Sequence, residues 1–232
     1  MKKLTPAEQV GRRSFLERIL SLVVEPAAAF RDIVSRPDLW GPAFLILVTA
    51  LAALPAGLYV SQYVLQQLPE EARQQLALAG QNLVFLQAAG IFFSTLLSLF
   101  LWWFLQALVF SGVGALLGGA ASYRQTLSVT GYLYLPTFLS HLFTALALWT
   151  TGQYVSPGLA LTWPLEKLLT PLGGLLQQIT VFSVWWLFLA ALGLSVLWQT
   201  SRLTAGVAAA LLWLAGLGIQ YWLSSLTHFS AV

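Results

Sequence analysis

The chain has 232 residues, of which 58% are hydrophobic, with 11 Lys or Arg against 8 Asp or Glu and a formal net charge of +3. A soluble domain of this length would carry about a quarter of its residues as charged side chains, on the order of 58, so this composition excludes a soluble globular fold and points to an all-α, polytopic transmembrane helix bundle. Zero cysteines exclude disulfides, thiolate nucleophiles and sulfur-ligated metals. With only two histidines besides, no metal, cofactor or nucleic-acid partner is expected.

The charges punctuate the chain. Twelve fall in the first 38 residues, and the others are Glu70, Glu71, Arg73, Arg124, Glu166, Lys167 and Arg202. Residues 1–39 therefore read as a basic cytoplasmic tail and residues 40–232 as the membrane domain. No cleavable signal peptide is expected, because the first long apolar run follows a long charged segment. Within the tail, Phe15, Leu16, Ile19, Leu20, Leu22 and Val23 recur at helical spacing among Arg12, Arg13, Glu17 and Arg18. That pattern predicts an amphipathic helix in the headgroup plane, or one packed under the bundle. Pro26 ends it and can open a second short helix with an apolar face of Phe30, Ile33 and Val34.

Charge-free runs follow, each long enough for the roughly 20 apolar residues of a crossing helix. Spans are predicted at 41–63, 85–117, 127–149, 176–199 and 203–224. The run from Gln74 to Tyr123 could hold two crossings, but Gln74, Gln75, Gln81 and Asn82 make its start too polar for lipid, so one long helix fits better. With five spans, Lys2, Lys3, Arg12, Arg13, Arg18, Arg31, Arg36, Arg124 and Arg202 share one side, against Arg73 and Lys167 on the other. This positive-inside bias predicts a cytoplasmic N-terminus and an outside C-terminus.

Asp38-Leu39-Trp40-Gly41-Pro42 stands where the tail meets the first span. Asp38 can cap a helix, Trp40 can sit at the interface and Pro42 can occupy a first turn. Gly131-Tyr132 lies in the third span, before Pro136. Together these resemble the two hallmark motifs of the Yip1 domain family, Asp-Leu-Tyr-Gly-Pro and Gly-Tyr, with Trp40 in place of tyrosine. The stretches from Pro26 to Ile33, Arg36-Pro37, and Ser122 to Thr126 resemble the segments that precede those motifs in prokaryotic members. The resemblance spans about residues 20–225 and implies a five-span integral membrane protein. Eukaryotic members act in traffic between endoplasmic reticulum and Golgi and contact Rab-type GTPases. The short tail here favours a prokaryotic cytoplasmic membrane instead.

Several polar residues stand out inside or beside the spans. His141 is the one ionisable group placed well within a span, read either as a titrating site or as a neutral side chain bonded across a helix pair. Gln106 is a further intramembrane polar candidate, and buried glutamines generally join helix to helix. Arg124 and Arg202, at the starts of two spans, could hold anionic lipid headgroups or only set topology and snorkel. Gly114 and Gly118 form a Gly-x-x-x-Gly pair suited to close helix packing, within the chain or in a homo-oligomer. Pro55 and Pro136 should kink or end helices. The pairs Trp102-Trp103 and Trp185-Trp186 fall near mid-span, as packing or lipid-facing surfaces.

No catalytic constellation emerges. Paired intramembrane carboxylates, His-Glu-x-x-His and Gly-x-Ser-x-Gly are all missing from the sequence. The expectation is a non-enzymatic module that organises membrane or binds an unidentified protein partner. The alternative is a lipid mover, scramblase-like, or a small-molecule transporter using a polar groove around His141.

Overall fold

The computed structural model describes residues 14–77 and 82–229, without the side chains of residues 75–77, 82–83 and 227–229. Lys2, Lys3, Arg12, Arg13 and Gln81, invoked above, lie outside the described residues. The described chain forms eleven helices and no strand. Five segments are long and apolar enough to cross a membrane: Trp40–Gln66, Val84–Leu116, Tyr123–Thr151, Val181–Trp198 and Arg202–Leu226.

Two short helices come first, α1 (Phe15–Val24) and α2 (Pro26–Ser35). Ser14 opens α1 with a capping box: its hydroxyl accepts the Glu17 N–H, and the Glu17 carboxylate accepts the Ser14 N–H. Pro26 occupies the first turn of α2, where its missing N–H costs nothing. Next come α3 (Trp40–Gln66), the short polar α4 (Glu70–Ala77) and α5 (Asn82–Leu116). The second charge-free run is thus one 35-residue helix. A Schellman turn ends it: Gly118 adopts φ +81°, Gly119 N–H donates to Gly114 O at 2.8 Å, and Gly118 N–H to Ala115 O at 3.1 Å.

The third span is two helices, α6 (Tyr123–Tyr132) and α7 (Tyr134–Thr151), with a break at Leu133. Pro136 explains it, because the ring cannot share a helix with the carbonyl four residues earlier, but it fits the first turn of α7. Pro55, by contrast, is carried inside an unbroken α3. Beyond it lie α8 (Leu165–Leu168), α9 (Pro171–Gln178), α10 (Val181–Trp198) and α11 (Arg202–Phe229). The fourth span starts five residues later than the expected 176, because Ile179 is extended and Thr180 opens α10 with a capping box to Ser183.

The starts of α3, α6 and α11 and the ends of α5 and α10 meet at one end of the bundle, and the α1–α2 hairpin packs there, mainly on α10 and α6. This is the hairpin end. At its centre lies α6, which touches α2, α3, α5 and α10. Every residue from Thr126 to Pro136 is buried. A helix buried on all sides should be apolar throughout, yet α6 carries Thr126, Ser128 and Thr130. The two threonine hydroxyls are answered locally: Thr130 donates to Thr126 O at 2.8 Å and Thr126 to Ser122 O at 3.3 Å. Leu22, Ala29, Phe30 and Ile33 of the hairpin join the same core as Leu189 and Leu194 of α10.

Candidate functional site

On α1, the face formed by Phe15, Arg18, Ile19 and Leu22 turns toward the bundle, since residues spaced i, i+3, i+4 and i+7 share one side of a helix. Arg18 is therefore carried into the core and is only 4% exposed. Its three nitrogens all donate within reach. Nε bonds Asp32 Oδ2 at 2.8 Å, Nη1 bonds Asp38 Oδ1, and Nη2 bonds Arg36 O at 3.0 Å. One guanidinium thus ties α1 to α2 and to the turn before α3. Burial alone would disfavour its charge, but the Tyr132 hydroxyl and the Asp38 and Asp32 carboxylates outweigh that and hold its pKa above the ordinary arginine value.

Asp38 is the hub. Its carboxylate accepts from Arg18, from Gly41 N–H at 2.9 Å, and from the Tyr132 hydroxyl at 3.1 and 3.3 Å. Its own N–H donates to Ser128 Oγ at 3.3 Å. The carboxylate caps the first turn of α3 while gripping two other elements, and the Arg18 guanidinium lies 6.0 Å from the Tyr132 ring centre. An edge-on contact of Phe15 with Phe44, centroids 5.5 Å apart, closes one side.

The two glycines make these approaches possible. A Cβ on Gly41 would collide with the Tyr132 hydroxyl and come 2.9 Å from Asp38 Oδ2. On Gly131 it would strike Pro42 Cβ and come 2.9 Å from Trp103 Nε1. That indole N–H donates to Leu127 O at 2.9 Å, fixing α5 against α6. Gln125 adds a further tie, donating to Val34 O of α2 at 3.0 Å. Asp38, Gly41 and Pro42 of the first motif and Gly131 and Tyr132 of the second, far apart in sequence, therefore form one contact.

The family model described as the Yip1 domain matches residues 20–223, nearly the whole of this assembly. The chain belongs to the Yip1 domain family. No match was found among curated proteins or among solved structures. In Yip1 terms, the Gly-Tyr motif supplies the tyrosine hydroxyl and the slot for Pro42, and the first motif supplies the carboxylate. Leu39 and Trp40 play no part in the network: Leu39 precedes the first turn of α3, and Trp40 is 88% exposed.

The remaining candidates lie apart from this clasp. Arg124 and Arg202 are exposed at the first turns of α6 and α11, on the hairpin end. His141 and Gln106 are each half-buried, on α7 and α5, and neither side chain hydrogen-bonds another described residue. Gly114 packs against the Trp198 indole so closely that a Cβ would overlap it, whereas a Cβ on Gly118 would meet open space. Of that pair, one glycine makes an internal helix contact and the other ends its helix. Other glutamines do bridge elements: Gln87 donates to Ser61 at 3.2 Å and Gln178 to Gln220 at 3.2 Å. Within Trp102-Trp103, Trp102 faces outward and Trp103 is buried.

Arg18, Asp32, Gln125 and Ser128 were not singled out as site residues by sequence reasoning, and Trp103 was read only within a packing or lipid-facing pair. Only Arg18 carried a signal. It interrupts the spacing of Phe15, Ile19 and Leu22 from within, and a charge on an apolar face needs a buried counterion.

Proposed function

We propose that this Yip1-domain membrane protein is a non-enzymatic module that organises membrane or engages a protein partner through the hairpin end, in a prokaryotic cytoplasmic membrane with that end facing the cytoplasm. The observation that carries the reading is the clasp itself. Its guanidinium, carboxylates and tyrosine hydroxyl bond one another, so the family motifs serve to dock a helical hairpin rather than to present a reactive group. A docked hairpin offers a rigid surface, and surfaces held on regular elements suit recognition. The exposed Arg124 and Arg202 flank it and supply charge for anionic headgroups or an acidic partner face. Their shared placement with the starts of α3, α6 and α11 agrees with the positive-inside bias.

Crosslinking in native membranes tests this, comparing the wild-type chain with Asp38→Ala. A defined partner captured by the wild type and lost from the variant, at equal membrane levels, is the expected result. If purified protein in liposomes instead speeds transbilayer movement of labelled lipids, the lipid-mover reading replaces this one.

A further inference from the structure

The α1 helix has three faces. At 100° per residue, Phe15, Arg18, Ile19 and Leu22 cluster on the bundle side, and Glu17 and Ser21 on a polar side. Leu16, Leu20, Val23 and Val24 form a third side that is exposed among the described residues, by 57% to 77%. A helix with one face on its own protein, one polar and one apolar needs two different solvents around it. Water suits the second face and not the third.

Two contacts fix the depth at which this third face sits. On α2, the Phe30 ring would lie 2.9 Å from a Cβ on Gly193, five residues inside the end of α10. At 1.5 Å per residue this is about 7.5 Å below the end of a membrane-spanning helix. On α1, Phe15 packs edge-on against Phe44, four residues or about 6 Å inside the start of α3. Interfacial helices bury their apolar faces by about 5–10 Å, to the boundary between headgroups and acyl chains. The hairpin is thus held at that depth by its own docking contacts. Phe44, against which Phe15 of the bundle side packs, is itself exposed on α3, so the outward surface of the first span begins at the same depth as the hairpin.

From this we infer that Leu16, Leu20, Val23 and Val24 insert among the upper acyl chains of the leaflet at the hairpin end, making α1 an in-plane wedge locked to the bundle. The inference rests on depth and on the partition of faces, and stands whether or not a protein partner exists. The occupant is lipid rather than a second copy, because the face lies level with the outer surface of a spanning helix.

The absence of cysteine makes a clean test available. Full-length Leu20→Cys and Ser21→Cys are each labelled with a nitroxide and reconstituted, dilute, in phosphatidylcholine vesicles containing phosphatidylglycerol. Both positions lie on the outer part of α1, so neither label disturbs the clasp. Power saturation then compares collisions with oxygen, which concentrates in acyl chains, and with a water-soluble nickel chelate. Oxygen should dominate at position 20 and the chelate at position 21, although the two are adjacent. Equal chelate access at both positions would overturn the proposal, placing α1 in water. Dipolar broadening at position 20 would also overturn it, showing a second copy on that face. A Leu16→Cys label should repeat the result for position 20.

Discussion

The two ends of the bundle use similar chemistry to different effect. At the hairpin end, Arg18, Asp32, Asp38 and Tyr132 sit under helices, and each bond joins segments distant in sequence. At the opposite end, Glu166 of α8 accepts from the Tyr63 hydroxyl at 2.8 Å, a bond exposed to solvent. Both are carboxylates receiving a tyrosine hydroxyl. Water can replace the partner of Glu166, whereas nothing replaces the partners of Arg18. The difference lies in what is left behind when a bond is removed, not in the bond.

The largest expected effect is from Arg18→Ala. It leaves Asp32 and Asp38 facing each other without a cation, and breaking a buried pair by removing one partner costs about 3–5 kcal/mol. The hairpin should undock before the spans separate, so trypsin acting on proteoliposomes should cut after Arg31 in the variant far faster than in the wild type. Gly131→Ala comes next. Its methyl would overlap Pro42, a ring on a helix rather than a flexible tip, and overpacking of this kind costs about 1–3 kcal/mol. Thermal unfolding in detergent should show a lowered midpoint, and a Pro42→Ala second change should not restore it, because the Cβ that the methyl strikes remains. Tyr132→Phe removes a hydrogen bond to a charged acceptor while keeping the ring, for a loss of about 1.5–3 kcal/mol in the same measurement.

Glu166→Gln should have the smallest effect. The Tyr63 hydrogen bond holds the Glu166 carboxyl below its ordinary range. Its contribution is therefore present above the ordinary carboxylate pKa and is lost as pH falls through the lower folded value. Because the group is exposed, the midpoint difference between wild type and variant should be slight at neutral pH and vanish in acid. A large difference at neutral pH would mean that the two ends are not so unlike after all.

Much of this architecture was legible before the fold. Charge spacing found the five spans, and the Gln-rich start of the second run correctly argued for one long helix. The fourth span's start was placed at 176, inside a charge-free run that gives no boundary, while the true boundary lies in the backbone geometry at Ile179 and the cap at Thr180. The two motifs were visible as strings, but their meeting was not. Nothing local says that Tyr132 should reach Asp38, because the contact depends on α6 being swallowed by its neighbours. Arg18 was read only as one of the charges interleaved with the apolar residues of the tail helix, for the same reason. A spacing rule places it on the apolar side, but only its counterions explain why it can remain there.

Helix length has one more consequence. The most apolar stretch of α5 contributes no buried residue, whereas 44% of the corresponding stretch of α10 is buried. The peripheral apolar segment, 33 residues, would measure about 50 Å, and the central one, 18 residues, about 27 Å. A hydrocarbon core is about 30 Å thick. The outer helix can lean or let its ends emerge, but the inner one is wedged between neighbours and cannot lengthen. It is therefore α10 that acts as the ruler: the protein fits a bilayer of ordinary or slightly reduced thickness, and a thicker one must thin around it.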